Sequence, residues 1–314
     1  MKNILFVLLP VLFLGGVSEA QSRRTSRPAG YGFQVMGSGP VKTVMPPNNL
    51  HLMDRRERAA NINEEQFNSI VDGVAATWSP IAKSKGVELV FHKKWDDPTV
   101  NAMAYQEGNT WHVEMYGGLA RRPEVTPDGF ALVVCHELGH HFGGYPFVSG
   151  WASNEGQSDY FASQVCLKSL WGRDLRGNER FRRLQQVPDV VQASCTQAWP
   201  NNSNAQGWCV RAAAAGQSLS NLLNANKGGQ QPHFETPDKT QVPSTVSSHP
   251  NAQCRLDTYF AGALCTKGWD MNLIPGKGQG NTAAAEAAAM PFSCTEKENF
   301  SLGTRPRCWF KPLL

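Results

Sequence analysis

Eight cysteines constrain this chain more than any other feature: Cys135, Cys166, Cys195, Cys209, Cys254, Cys265, Cys294 and Cys308. They follow a start, MKNILFVLLPVLFLGGVSEA, with one lysine, an apolar run from Ile4 to Leu14, and small residues at Ser18 and Ala20. That is the layout of a secretory signal peptide over 1–20, cleaved after Ala20. The alternative is an uncleaved anchor, but the run is short against the ~20 apolar residues of a span. No other segment is apolar enough to cross a bilayer. The expectation is therefore a secreted or periplasmic protein with no stable membrane insertion after signal cleavage. In such a chain an even cysteine count favours disulfides, and the absence of Cys-x-x-Cys weakens a thiolate metal site further.

Most pairings stay open, but two can be argued. Cys135 and Cys166 fall in two helices that carry the candidate ligands discussed below, so a bridge between those helices is expected. Cys254 and Cys265 lie within one predicted helix, whose rise of ~1.5 Å per residue holds them too far apart to bond each other.

Residues 21–60 are rich in Arg, Ser, Pro, Gly and Asn without sustained periodicity and read as an irregular N-terminal arm. From Asn63, the spacing of Phe67, Ile70, Val71, Val74 and Trp78 predicts a helix punctuated at its far end by Pro80 and Gly86. GVELVFHKKW reads as a strand, and VNAMAYQEGNTWHVEMYGG as two strands about a turn at Glu107–Asn109. Helices are predicted over 128–142, capped by Asp128 and ended by Gly143–Gly144, and over 155–171. Others are expected near 176–199, 206–226 and 250–266, with a loop at 227–249. The domain reading is 61–270, followed by a cysteine-containing tail over 271–314 pinned by Cys294 and Cys308. The net charge is +4, and its small basic clusters, such as Arg180 with Arg182 and Arg183, read as solvated faces. No nucleic-acid partner is expected.

The stretch 131-ALVVCHELGHHFGGYP-146 carries the chemistry. Residues four apart share a helix face, so His136 and His140 can present imidazoles to one ion. Glu137 then stands beside that ion's water as a base. Zinc accepts neutral imidazoles and leaves a fourth position for water. His141 lies about 100° round the helix from His140 and reads as a surface or packing residue. In 154-NEGQSDYFASQVC-166, Glu155 can supply a third ligand, and Asp159 can accept the His136 ring N–H and fix its tautomer. The plainer alternatives are a helix-start carboxylate favoured by the macrodipole for Glu155 and a solvated polar residue for Asp159.

Asn154-Glu155-x-x-Ser158-Asp159 resembles the Asn-Glu-x-x-Ser-Asp of thermolysin-type gluzincins. It is equally close to the Glu-x-x-Ala-Asp of the CAAX prenyl protease-type metallopeptidases, with Ser158 in place of Ala. The stretch 247-SSHPNAQCRLDTYF-260 resembles the His-Pro-x-x-x-x-Arg-Ile segment of that second family, with His249, Pro250 and Arg255 in register and Leu256 for Ile. Asn101-Ala102, before a strand ending in Gly117-Gly118, resembles its edge-strand region. The resemblance covers about residues 100–260.

What the resemblance implies is a zincin-like endopeptidase, in a soluble exported form, with one catalytic Zn2+ held by His136, His140 and Glu155. Glu137 would be the general base, His249 the donor to the developing oxyanion and Arg255 an ordering group. For His249 the alternative is a loop histidine before a helix, and Tyr145, Tyr160 and Tyr259 are rival donors. The strand around Trp111–Met115 would offer a free edge to an extended protein or peptide substrate, or be an ordinary edge strand. Departures from the family are the short interval between His140 and Glu155, the lack of membrane spans and the cysteine-rich C-terminal part. The expected fold is α+β, a small antiparallel sheet packed on a mostly helical core with a disulfide-stabilised C-terminal part. The competing reading is a non-catalytic, zinc-containing, disulfide-rich envelope or binding protein.

Overall fold

Asn63 starts the first long helix by a reciprocal cap. Its side chain accepts from the Gln66 amide at 2.8 Å, and the Gln66 side chain accepts from the Asn63 amide at 3.0 Å. The computed structural model of the chain describes residues 41–48, 50, 61–183, 187–225 and 230–314. The signal peptide and most of the 21–60 arm lie outside them. A two-residue strand β1 (Lys42–Thr43) precedes α1 (Glu64–Ser84), β2 (Glu88–Lys94), β3 (Ala102–Glu107) and β4 (Thr110–Tyr116). Phe67, Val71, Val74 and Trp78 are buried along one face of α1. The helix runs through Pro80 instead of ending there, because burial of Trp78 and Ala82 on either side outweighs one missing N–H.

The sheet runs β1-β3-β4-β2. β3 is antiparallel to both β1 and β4, but β2 and β4 are parallel, so the sheet is mixed and not antiparallel as expected. From β2 to β4 successive strands alternate in direction along the chain, whereas β1 runs the same way as β2. Once β2 sits beside β4 and not beside β3, the pair must be parallel. A second correction follows from the same order. The strand around Trp111–Met115 lies inside the sheet between β2 and β3, and its edge is not free.

The helical part continues with α2 (Gly117–Ala120), α3 (Pro127–Phe142) and α4 (Glu155–Phe161). A π turn (Ala162–Cys166) joins α4 to α5 (Leu167–Trp171), so 155–171 is one helical stretch with an internal irregularity. Then come α6 (Leu175–Arg182), α7 (Asp189–Ala198), α8 (Ser203–Asn224), α9 (Ala252–Leu264) and α10 (Ala283–Ala289). The helical region expected near 176–199 consists of α6 and α7, and Pro188 stands at the head of α7. The cap of α3 is Thr126, whose hydroxyl accepts from the Gly129 amide at 3.0 Å. Asp128, the expected cap, forks Arg211 at 2.8 Å through both oxygens.

From Gly129 to Phe142 every residue of α3 is buried, among β3, β4, α1, α4 and α8. A helix apolar on most of its surface needs such surroundings. Its polar residues are then forced into the interior, where each needs a partner. Gly139 sets the distance to α4, since a Cβ there would lie 2.7 Å from the Ser158 Cα. Four disulfides close the chain: Cys135–Cys166, Cys195–Cys209, Cys254–Cys308 and Cys265–Cys294. The first is the bridge expected between the two helices, and Cys254 and Cys265 take separate partners. Such a set suits an oxidising compartment. No described helix is long and apolar enough to cross a membrane.

Candidate metal centre

Because α3 is sealed on all sides, the positions of His136 and His140 are fixed by what accepts their second ring nitrogens. His136 donates through Nδ1 to Asp159 Oδ1 at 2.7 Å. His140 Nδ1 donates to the Ser153 carbonyl at 2.9 Å, with the Ser158 hydroxyl also at 2.9 Å. Each imidazole therefore carries its proton on Nδ1 and turns the Nε2 lone pair inward, the tautomer a metal ligand needs. Glu155 meets them from the first turn of α4: its Oε2 is 3.3 Å from His136 Nε2 and its Oε1 is 3.8 Å from His140 Nε2. These atoms lie within 4.8 Å of one another, and the three residues are buried. Tetrahedral donors at ~2.0–2.1 Å from an ion stand about 3.3 Å apart, which matches this cluster.

Satisfaction of hydrogen bonds gives a second test of fit. His136 Nε2, His140 Nε2, Glu155 Oε2 and both oxygens of Glu137 are buried and complete no hydrogen bond. A buried polar atom left this way costs ~1–3 kcal/mol, more when charged. A cation held by His136, His140 and Glu155 would account for the three ligand atoms among them. The residues present therefore fit a metal ion. A further grouping, Asp238 with Cys254 and Cys308, is excluded because its sulfurs are bonded to each other.

The electrostatics separate two carboxylates. Burial opposes ionisation of Asp159, but the Arg255 guanidinium and His136 overcome it and hold its pKa below the ordinary value. Arg255 forks both Asp159 oxygens at 2.7 Å. Glu137 has no cation hydrogen-bonded to it, and burial pushes its pKa up to about 8. A carboxyl raised in this way is matched to taking and returning a proton near neutrality. Burial lowers His140 to about 3, so that imidazole is neutral.

The remaining expected residues divide clearly. His249 reaches the site: its Nε2 stands 3.5 Å from Glu155 Oε2 and donates to the Thr43 carbonyl at 2.7 Å. Arg255 lies behind the ligands, through Asp159, and also donates to the Val44 carbonyl. Two of the rival tyrosine donors are committed elsewhere, Tyr145 to Glu286 at 3.2 Å and Tyr160 to the Gly303 carbonyl at 2.6 Å. Tyr259 lies in the field of Arg255 and Asp159, and its hydroxyl completes no hydrogen bond. His141 is a packing residue, stacked between Trp111 and Trp151, with its Nε2 donating to the His112 carbonyl at 3.1 Å.

Sequence reasoning missed two contributors. Ser158 enters the sequence reading only as a position in two family motifs, yet its hydroxyl touches the same His140 nitrogen as the Ser153 carbonyl. A short piece of the N-terminal arm, residues 42–45, passes directly over the site, and no periodicity in it signals that placement. Compared with protein-family models, with curated proteins and with solved structures, the chain matches none.

Proposed function

We propose that this chain is an exported zinc metalloendopeptidase of the gluzincin type with a zincin-like core, hydrolysing peptide bonds in protein or peptide substrates. The observation that carries the reading is the joint presence of three inward-facing ligand atoms and the unpartnered, buried Glu137 carboxylate beside them. A purely structural ion has no use for that carboxylate, which argues against a non-catalytic binding protein. The imidazole nitrogens and thiolate-free donor set suit zinc.

His136, His140 and Glu155 would hold the ion, with Asp159 and Ser153 fixing the two rings. When bound, the ion supplies a Lewis acid and a water acidic enough to attack at neutral pH. Glu137 accepts the proton of that water and passes it to the departing amide nitrogen. His249 Nε2, already donating to a peptide carbonyl at this site, donates to the oxygen that gains charge. Arg255 keeps Asp159 ionised and in place, so that the His136 tautomer does not change during turnover.

Zinc content by elemental analysis, with hydrolysis of casein on the same samples, tests the reading. Wild type and Glu137→Gln should each carry one equivalent of zinc, and only the wild type should show turnover. Glu155→Ala should lose zinc affinity by a large factor. Undiminished turnover in Glu137→Gln overturns the mechanism, and a metal-replete wild type that binds no zinc overturns the site.

A further inference from the structure

The edge of the sheet nearest the site belongs to β3, and the chain covers it with a piece of itself. β1 adds to β3 in antiparallel register, Lys42 opposite Ala104 and Thr43 opposite Met103. The Val44 amide then donates to the Ala102 carbonyl at 3.3 Å. Beyond it, the Asn101 side chain grips Met45 at both backbone groups, accepting from its amide at 3.1 Å and donating to its carbonyl at 3.3 Å. These are contacts to backbone, the mode by which a sheet edge takes up any extended peptide.

The alignment over the metal centre is specific. The Thr43 carbonyl is the acceptor of His249 Nε2, beside the ligand Glu155. The next amide, that of Val44, is the one held by the Ala102 carbonyl of the β3 edge. Arg255 holds the Val44 carbonyl. The Val44 side chain is fully buried in the apolar core, and Met45 is nearly so. One peptide bond thus has its carbonyl at the proposed oxyanion donor and its nitrogen held by the β3 edge. With this strap in place, His136, Glu137 and His140 have no exposed surface.

We propose that residues 42–45 are an internal peptide seated in the substrate groove, which holds the full chain to a fraction of its open activity, and that the groove takes extended peptides with a small apolar residue just after the bond to be cut. This rests on the peptidase reading above. In that register the cut bond is the one matching Thr43–Val44. The C–N bond breaks, the water oxygen goes to the carbonyl carbon, and Glu137 delivers the proton to the nitrogen. Competition from a tethered strap lowers the apparent affinity for outside substrate by the fraction of chains that are open. Asn101 is then a positioning residue for substrate backbone, and the pocket filled by Val44 sets the side-chain preference.

The test uses the full chain, as wild type, Val44→Asp and the milder Val44→Ala. Each is probed with the peptide acetyl-Lys-Thr-Val-Met-amide. Three readouts apply: binding of the peptide to zinc-free protein, hydrogen exchange at residues 42–46, and hydrolysis of an unstructured peptide by the zinc-loaded form. The expected result is faster exchange at the strap, with peptide binding and hydrolysis at least about tenfold above wild type. Val44→Ala should fall between the two and serves if Val44→Asp does not fold. Faster exchange with unchanged peptide binding overturns the proposal, because the strap then blocks nothing. Peptide binding that appears only in the opened variants, without hydrolysis in any form, supports the groove and overturns the peptidase reading instead.

Discussion

Arg255 and Arg305 are both buried, yet they stand in opposite electrostatic circumstances. Arg255, on α9 behind the metal centre, gives two charge-assisted bonds to Asp159 and one to the Val44 carbonyl. The Asp159 field raises its pKa against the effect of burial. Arg305, in the C-terminal part, reaches only neutral acceptors, the Tyr145 carbonyl and Gln157 Oε1, both at 3.3 Å. Its Nε and Nη2 complete no hydrogen bond, and burial lowers its pKa. Its guanidinium lies 3.9 Å over the Phe310 ring. Around the candidate metal centre, the buried charges of Arg255 and Asp159 are paired with each other. In the C-terminal region a cation is tolerated by packing and not by pairing.

Breaking the first arrangement should have the largest effect. Asp159→Ala leaves Arg255 as an uncompensated buried charge and removes the acceptor of His136 Nδ1. Loss of one partner of such a pair costs ~3–5 kcal/mol, and loss of the carboxylate behind a ligating histidine lowers metal affinity ~10–100-fold. Denaturant unfolding and zinc titration of the variant check both numbers. A stability loss under about 1 kcal/mol would mean that Arg255 finds another anion and the contrast with Arg305 is only apparent.

The Cys254–Cys308 bridge joins the two regions, next to Arg255 at one end and three residues from Arg305 at the other. It closes a sequence separation of 54, for which removal costs ~2–4 kcal/mol. Cys254→Ser with Cys308→Ser should therefore lower stability by that amount. The loss of hydrogen-exchange protection should concentrate in the C-terminal side, around Trp309 and Phe310. The α3 and α4 side retains its own crosslink, Cys135–Cys166, and its ion pairs. Equal loss of protection on both sides would show that the regions unfold as one unit.

The two regions also differ in what can be read from sequence. The candidate ligands and the carboxylate behind them are a local property: His136 and His140 repeat on one helix turn, as do Glu155 and Asp159, so their spacing places them before any tertiary contact is known. The strands β2, β3 and β4 are legible for the same reason. Their order is not, since β2 chooses β4 over β3 through packing against α1, and alternation along a strand carries no record of its neighbour. β1 is still less legible: two residues have no period, and their partner lies far along the chain. The surroundings of Arg305 depend on which cysteines pair and on how the tail returns to Tyr145. Nothing in the residues near Arg305 announces its burial.

Arg305→Met should have the smallest effect. The substitution loses two neutral-acceptor hydrogen bonds, each worth ~0.5–1.5 kcal/mol, and a stacking contact on Phe310 of ~0.5–2 kcal/mol. Against this, it relieves the desolvation of a cation with two unsatisfied nitrogens and keeps most of the side-chain volume, so these opposing effects nearly cancel. The expected change is within about 1 kcal/mol of wild type by denaturant unfolding. Arg255→Met, which strands Asp159, should cost ~3–5 kcal/mol in the same assay. A cavity of about 350 Å³ lies beside Arg305, lined also by Glu286, Arg307 and Lys311. If Arg305→Met costs as much as Arg255→Met, the free nitrogens of Arg305 have a partner in solution that enters through this cavity. The two buried arginines would then obey one rule.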